Sequence, residues 1–445
     1  MIALLLCVIG AIGAFLAGRR ALWAGCFVVA TSGYGYGILR ANLFTPYSHF
    51  IFDAAVVGLY AAQFGPGSRR TPATPRPALN TWMIILIGWP LLLLFLPFQP
   101  LLISIVGLRG NMFLLPMILL GSRLRSFDLR RLALGFALLN LVALAFGIAE
   151  SIRGIEPFFP IGPMTSTIYG SQDSGGEHRI PSLFQNAHTY AGVMVATIPF
   201  LFGAWVQKSG SRNQKLLLAL GLGAAFMGVL MAQTRTNIVV AGLLIVIASL
   251  TGKIGAVKRW IWILAIAGIV FAAMNNARWQ RYKALDADSV TDRIAGSVNR
   301  TFFEILIEYP MGNGLGGGGT SIPYFLASRV NQPIGAENEY ARILLEQGII
   351  GLIIWVGFVI WFLTNRSAFQ KDDWLVGRRM AWWVCAFGFC SAPMGVGLLS
   401  SIPNTFLFLL STGWTSVKPI GEPQPVLRAA QPPVAIPVGE EVRTQ

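Results

Sequence analysis

The chain reads as an all-α, polytopic helical membrane protein of about twelve transmembrane helices (11–13), on three observations. It is 54% hydrophobic and only 12% charged, about half the charged share of a soluble domain. Its mean hydropathy is +0.62. Apolar windows of about 20 residues, each long enough for a hydrocarbon core of about 30 Å, recur from Met1 to Trp414.

Hydropathy places spans at 1–18, 21–39, 49–64, 81–98, 101–121, 132–149, 186–207, 216–232, 237–250, 261–274, 340–363 and 380–398, and a weaker run at 402–414 adds a thirteenth candidate. The first run resembles a signal peptide in length. It lacks a basic lead, however, and Arg19-Arg20 follow it, so it is read as the first span. Residues 1–416 form the membrane domain, and 417–445, rich in Pro, Gln, Val and Glu, read as a disordered tail.

The charges are segregated. Arg69, Arg70 and Arg76, Arg123 to Arg131, Lys208 to Lys215, Lys253 to Arg259 and Arg366 to Arg379 occupy short breaks between spans. Such loops mark the cytoplasmic side. The acids concentrate elsewhere: four of the nineteen lie in 150–177 and eight in 286–346. The net charge of +15 therefore reports topology, and no nucleic-acid partner is implied; membrane lipids are the expected surroundings. Segments 150–185, 233–237 and the long loop 275–339 fall on the outer side, as does the N-terminus.

Within that long loop, Ile294, Val298, Phe302, Ile305 and Leu306 have helical spacing over 293–308. The run Gly312-Asn313-Gly314-Leu315-Gly316-Gly317-Gly318-Gly319 follows. It lacks the Gly-Lys-Ser/Thr ending of a phosphate-binding P-loop and reads as a flexible or tightly turning loop that lets backbone approach a large substrate. Cys7, Cys26, Cys385 and Cys390 lie scattered in apolar segments, with no disulfide framework and no metal-ligand spacing. No metal site and no cofactor are expected.

Chemistry-bearing side chains gather at the outer edge. Arg179 precedes the span near Asn186, Arg235 stands between two apolar helices, Arg342 lies one turn into a span, and Arg109 interrupts an apolar run. A lone arginine at such an edge is ordinarily a snorkelling anchor. Four of them beside an acidic loop suggest anion binding, since a guanidinium meets phosphate through two parallel hydrogen bonds. His188 is one of three histidines. The stretch Glu337-Asn338-Glu339-Tyr340-Ala341-Arg342-Ile343-Leu344-Leu345-Glu346 crowds carboxylates, an amide and an arginine at the start of a span, where ionisable groups are costly. Glu346 is expected to bond a neighbouring arginine or backbone group inside the bundle.

The segment Arg179–Ala191, Thr234-Arg235-Thr236, residues 293–319 and Asn338-x-Tyr340…Glu346-x-Gly348-x-x-Gly351 resemble, in order and spacing, the bacterial O-antigen ligases and O-antigen polymerases. The resemblance covers about residues 105–410. It implies a metal-independent glycosyltransferase in the bacterial inner membrane, with its active site facing the periplasm. Such an enzyme takes an undecaprenyl-pyrophosphate-linked glycan donor and passes the glycan to a glycan or lipid acceptor. Arg179 and Arg235 match positions implied to hold the pyrophosphate, and Asn338, Tyr340, Arg342, Arg109 and His188 are carried as substrate-binding candidates. Where ligases usually have His-Asn this chain has Glu337-Asn338. Glu337 is the candidate general base, since a carboxylate in reach can accept the hydroxyl proton; the alternative is a solvated loop residue. The substitution favours a polymerase over a lipid A ligase. The competing class is a polysaccharide or lipid-linked sugar transporter or flippase.

Overall fold

A computed structural model describes residues 1–43, 45–66, 77–162, 165–169, 178–250, 300–318, 322–332, 334, 338–395 and 397–418. Among these the regular structure is helical. In chain order the helices are α1 (Ile2–Arg20), α2 (Leu22–Tyr34), α3 (Tyr36–Leu43), α4 (Ile51–Phe64), α5 (Pro77–Leu93), α6 (Leu101–Met112), α7 (Pro116–Gly121) and α8 (Ser126–Arg153). They continue with α9 (Ser166–Tyr169), α10 (Ala187–Val206), α11 (Arg212–Ala232), α12 (Arg235–Leu250), α13 (Arg300–Glu308), α14 (Glu339–Thr364), α15 (Leu375–Ser391) and α16 (Asn404–Thr415).

Six of these stretches are long and apolar enough to cross a membrane: α1, Leu101–Gly121, α8, α10, α11 and Glu339–Phe369. The bent pair α2–α3, which turns by 47°, makes a seventh if taken as one span. The expected count of twelve is not reached among the described residues. Hydropathy counts apolar runs, but α4 has 14 residues and α16 has 12, short of the roughly 20 that a straight crossing needs. The expected span 261–274, loop residues 275–299 and the tail beyond 418 lie outside the described residues. The helix expected over 293–308 is found at Arg300–Glu308. Its Phe302, Ile305 and Leu306 pack on Ala341, Leu344 and Leu345 of α14.

α10 is the centre of the bundle, with 89% of its apolar window buried. Its sequence explains this. Ala, Gly and Thr occur all round the helix, so no polar face needs solvent and neighbours approach from every side. α8, α11, α15 and α16 pack around it. Small residues also set a close crossing between α7 and α16. A Cβ on Gly413 would stand 1.9 Å from the Ile118 carbonyl oxygen, and one on Gly121 would stand 2.0 Å from that of Leu410. With no hydrophobic force between helices in lipid, such backbone approach is what holds them.

The bundle has two chemically distinct ends. α4 begins at Asp53's end and finishes at Gln63, whose amide donates to the Gly18 carbonyl at 2.7 Å. α8 begins beside Arg123 and Arg125 and finishes at Glu150, bonded to Ser182. The basic turns at 19–22, 122–131 and 207–215 thus share one end, where Arg130 donates to Gln214 at 2.6 Å. The starts of α4 and α10 share the other.

The glycine run turns tightly, as expected, with Gly312, Gly314 and Gly316 at positive φ. Gly348 breaks α14 at φ 71°, ψ −177°, a region essentially restricted to glycine. The run packs into this break. The Ile349 N–H donates to the Pro310 carbonyl at 3.0 Å and the Asn313 N–H to the Leu345 carbonyl at 2.6 Å, while Trp89 Nε1 donates to the Gln347 carbonyl at 3.0 Å. Backbone groups freed by the break are thereby satisfied away from water. Gly316, at φ +81°, lies against α6 so closely that a Cβ on Gly107 would stand 2.2 Å from its nitrogen. Glycine here lets backbone approach backbone.

Candidate functional site

At the end of the bundle away from the basic turns, a cavity of about 320 Å³ opens between α3, the start of α4, α6, the start of α10 and the 397–402 loop. Arg40, Arg109, His49 and His188 line it, with Asp53 as its carboxylate. Arg109 and Asp53 form a two-bond pair, Nη2 donating to Oδ1 at 3.0 Å and Nε to Oδ2. An arginine in an apolar helix is costly unless compensated, and Asp53 supplies the compensation. Arg40 donates through Nη1 to the Gln185 amide oxygen at 3.3 Å, a neutral acceptor. Among the described residues the cavity therefore carries more guanidinium than carboxylate.

Local sequence fixes these positions. The chain bends between α2 and α3, and Gly37 lets α3 lie against segment 183–185, where a Cβ would stand 2.1 Å from the Phe184 carbonyl carbon. The Ile38 N–H donates to the Leu183 carbonyl at 3.1 Å. That segment is itself pinned to α8. Ser182, at φ 54°, donates its N–H to Glu150 at 2.8 Å and its hydroxyl to the Ala143 carbonyl at 2.6 Å. Asn186 then caps α10 by accepting the Thr189 N–H at 2.8 Å, a strongly preferred N-cap arrangement, and His188 follows in the first turn.

A second cavity, of about 190 Å³, adjoins the first through His188, Gly397 and Ser401 and extends to Thr236 and Asn237. Arg235, the exposed first residue of α12, immediately precedes those two. Arg179 is half-buried, and its charge bears on His188. Four of the sequence candidates, Arg109, Arg179, His188 and Arg235, are thus drawn to one region, two of them lining it directly.

The other candidates are placed differently. Asn338 is the N-cap of α14, its side-chain oxygen accepting the Tyr340 and Ala341 N–H groups at 2.8 and 3.2 Å. The Tyr340 hydroxyl donates to the Phe389 carbonyl at 2.9 Å. Arg342 is 0% exposed. It donates to Glu339 at 2.9 and 2.7 Å, to Glu346 at 2.9 Å and to the Asn111 amide oxygen at 3.2 Å. Its fork is closed around carboxylates, so these three residues build the scaffold and none faces the cavities. Glu346 bonds a neighbouring arginine as expected. Glu337 lies outside the described residues.

The hub of that scaffold is Glu339. While Oε1 takes Arg342, Oε2 accepts the Gly397 and Leu398 N–H groups at 2.7 and 3.2 Å, fixing the loop that lines both cavities. Its nearness to Arg342 was legible in the spacing, because residues 339, 342 and 346 stand three and four apart on one helical face; its hold on the loop was not. Arg40, a single basic residue at the end of a span, was not singled out by the sequence. Among the described residues no group of three His, Cys, Asp or Glu side chains is arranged to hold a metal.

Fold and site together define an all-helical membrane protein with a cationic cavity at one end of its bundle. No family model matches the chain, and no curated protein matches its sequence.

Proposed function

We propose that this protein is a membrane glycan polymerase or ligase acting on a polyprenyl-pyrophosphate-linked donor, undecaprenyl pyrophosphate by the family resemblance, at the outer face of a bacterial inner membrane. The observation that carries this reading is the convergence of Arg40, Arg109 and His188 on one cavity, at the end of the bundle opposite the basic turns. If the basic turns are cytoplasmic, that cavity faces the periplasm. Arg40 and Arg109, with Arg179 and Arg235 nearby, would bind the pyrophosphate. As the acceptor hydroxyl oxygen attacks the anomeric carbon, the sugar–oxygen bond to the pyrophosphate breaks and negative charge grows on the leaving group. Preorganised guanidinium groups stabilise that charge. The hydroxyl proton passes to a base, Glu337 on the sequence argument or His188 on the cavity's geometry. The Glu337-Asn338 pair favours the polymerase.

A flippase finds less support. Among the described residues Arg109 is paired with Asp53, and Arg342 with Glu339 and Glu346. Carriers hold their ionisable groups near the bilayer midplane, whereas the cavity groups here gather at one end of the bundle.

The test is reconstitution with lipid-linked repeat units, with and without lipid A core. A ladder on the lipid carrier identifies a polymerase, and label moving to lipid A identifies a ligase. Arg40→Ala should reduce product at least tenfold and Arg40→Lys should restore part of it, since lysine keeps charge but loses the fork. Full product from Arg40→Ala and Arg179→Ala proteins would remove the assignment.

A further inference from the structure

The basic end of the bundle holds a concave site of its own. A cavity of about 210 Å³ lies between the end of α1, the start of α2, the end of α4 and the α7–α8 turn. Among the described residues, Arg19, Arg20, Arg123 and Arg125 line it against one carboxylate, Asp128. Asp128 is already engaged at the start of α8, accepting the Arg125 N–H at 3.2 Å. A general excess of arginine at one membrane face needs only topology as its cause. A walled recess that gathers four of them needs more.

The walls are held in place. Gln63 Nε2 ties α4 to the Gly18 carbonyl at 2.7 Å, and Arg19 Nη1 donates to the Pro66 carbonyl at 3.2 Å. The Arg123 guanidinium stacks 5.1 Å from the centre of the Phe64 ring. Only 22% of α1's apolar window is buried. Ile12, Phe15 and Leu16 stay exposed on the stretch that runs up to Arg19 and Arg20. An apolar wall thus leads into a cationic recess at the end of a helix long enough to cross a membrane.

We propose that this recess binds the phosphate headgroup of an anionic membrane phospholipid, whose acyl chains lie along the exposed face of α1. The guanidinium forks suit phosphate oxygens, and basic pockets between transmembrane helices are known to take anionic headgroups. The apolar wall selects a lipid over a soluble anion, which would use the recess alone.

The test uses the full chain in dodecyl maltoside, with phosphatidylglycerol or phosphatidylcholine added at equal concentration and retained lipid counted by native mass spectrometry. Phosphatidylglycerol should be retained about tenfold better. The Arg19→Gln/Arg123→Gln protein should fall to the phosphatidylcholine level while keeping its unfolding midpoint in dodecyl maltoside with phosphatidylcholine. Should that pair fail to fold, Arg20→Gln/Arg125→Gln provides the same reading. Lys208→Ala/Lys215→Ala, which removes two charges elsewhere at this end, should leave retention unchanged. Equal retention of the two lipids by the unaltered protein would overturn the proposal. So would an equal loss in the lysine variant, which would mean unspecific surface charge. Displacement by equimolar glycerol 3-phosphate would overturn the lipid as the source and leave a free-anion site.

Discussion

Replacing Arg342 by methionine removes the cation that stands between two buried carboxylates. Arg342 is fully enclosed, with four hydrogen bonds running to Glu339, Glu346 and Asn111. Removing one partner of a buried ion pair costs about 3–5 kcal/mol, because the remaining charge is left without compensation. Two carboxylates are left here, so the upper part of that range, about 5 kcal/mol, is expected. The triple variant Glu339→Gln/Arg342→Met/Glu346→Gln carries no uncompensated charge and should regain at least half of the loss. Equilibrium unfolding in mixed dodecyl maltoside and SDS micelles, followed by tryptophan fluorescence, measures both; Trp355 on the same helix is a buried reporter. A loss below about 1 kcal/mol for the single variant, the range of a solvent-exposed pair, would refute the charge-compensation argument. So would a triple variant no more stable than the single one.

Three further outcomes are expected. Gly348→Ala forces an L-residue to φ 71° with its Cβ 2.8 Å from the Met311 carbonyl oxygen, and should cost about 3 kcal/mol in the same unfolding assay; a neutral result would mean the break in α14 is not held by the glycine run. Asp53→Asn keeps the shape of the Arg109 contact but removes its charge, so calorimetric titration should show inorganic pyrophosphate binding several-fold more tightly, at a cost of about 1–3 kcal/mol in stability; unchanged affinity would count against an anion site in the cavity. Gly413→Ala places a Cβ 1.9 Å from the Ile118 carbonyl oxygen and should lose about 2–3 kcal/mol; Gly223→Ala, whose Cβ meets nothing within 4 Å, is the matched control and should be close to neutral.

How much of this was legible in the sequence depends on which physical signal each feature leaves. Helix positions followed directly from apolar run length, because a helix in lipid must satisfy its own backbone and needs little else. The number of crossings did not follow, since an apolar run in α4 or α16 looks the same whether it spans the bilayer or sits half-way through a bundle. Arg109 could be picked out as a costly group in an apolar run and His188 as one of three histidines, and both line the cavity. Arg342 gave the same signal for another reason. Its partners Glu339 and Glu346 share its helix, and the spacing alone marks them as neighbours without saying that they close the fork. Arg40 was missed because one basic residue at the end of a span is common. Only the packing of Gly37 against Phe184 turns it toward Gln185. The 397–402 loop was invisible, as its part in the site rests on backbone N–H groups, which carry no residue-type signature.

The make-up of the arginine–histidine cavity also bears on how the protein is made. Its walls come from α3 and α4 near the start of the chain, α6 a third of the way along, the α10 entry near the middle, and a loop at 397–402 close to the end of the described residues. A ribosome therefore delivers Arg40 and Arg109 to the membrane long before the loop that completes their enclosure. During that interval Glu339 has no Gly397 or Leu398 amide to accept, and two guanidinium-bearing helices wait in the bilayer without their last wall. A chain stopped before residue 397 would carry the arginines and histidines named here and still have no site.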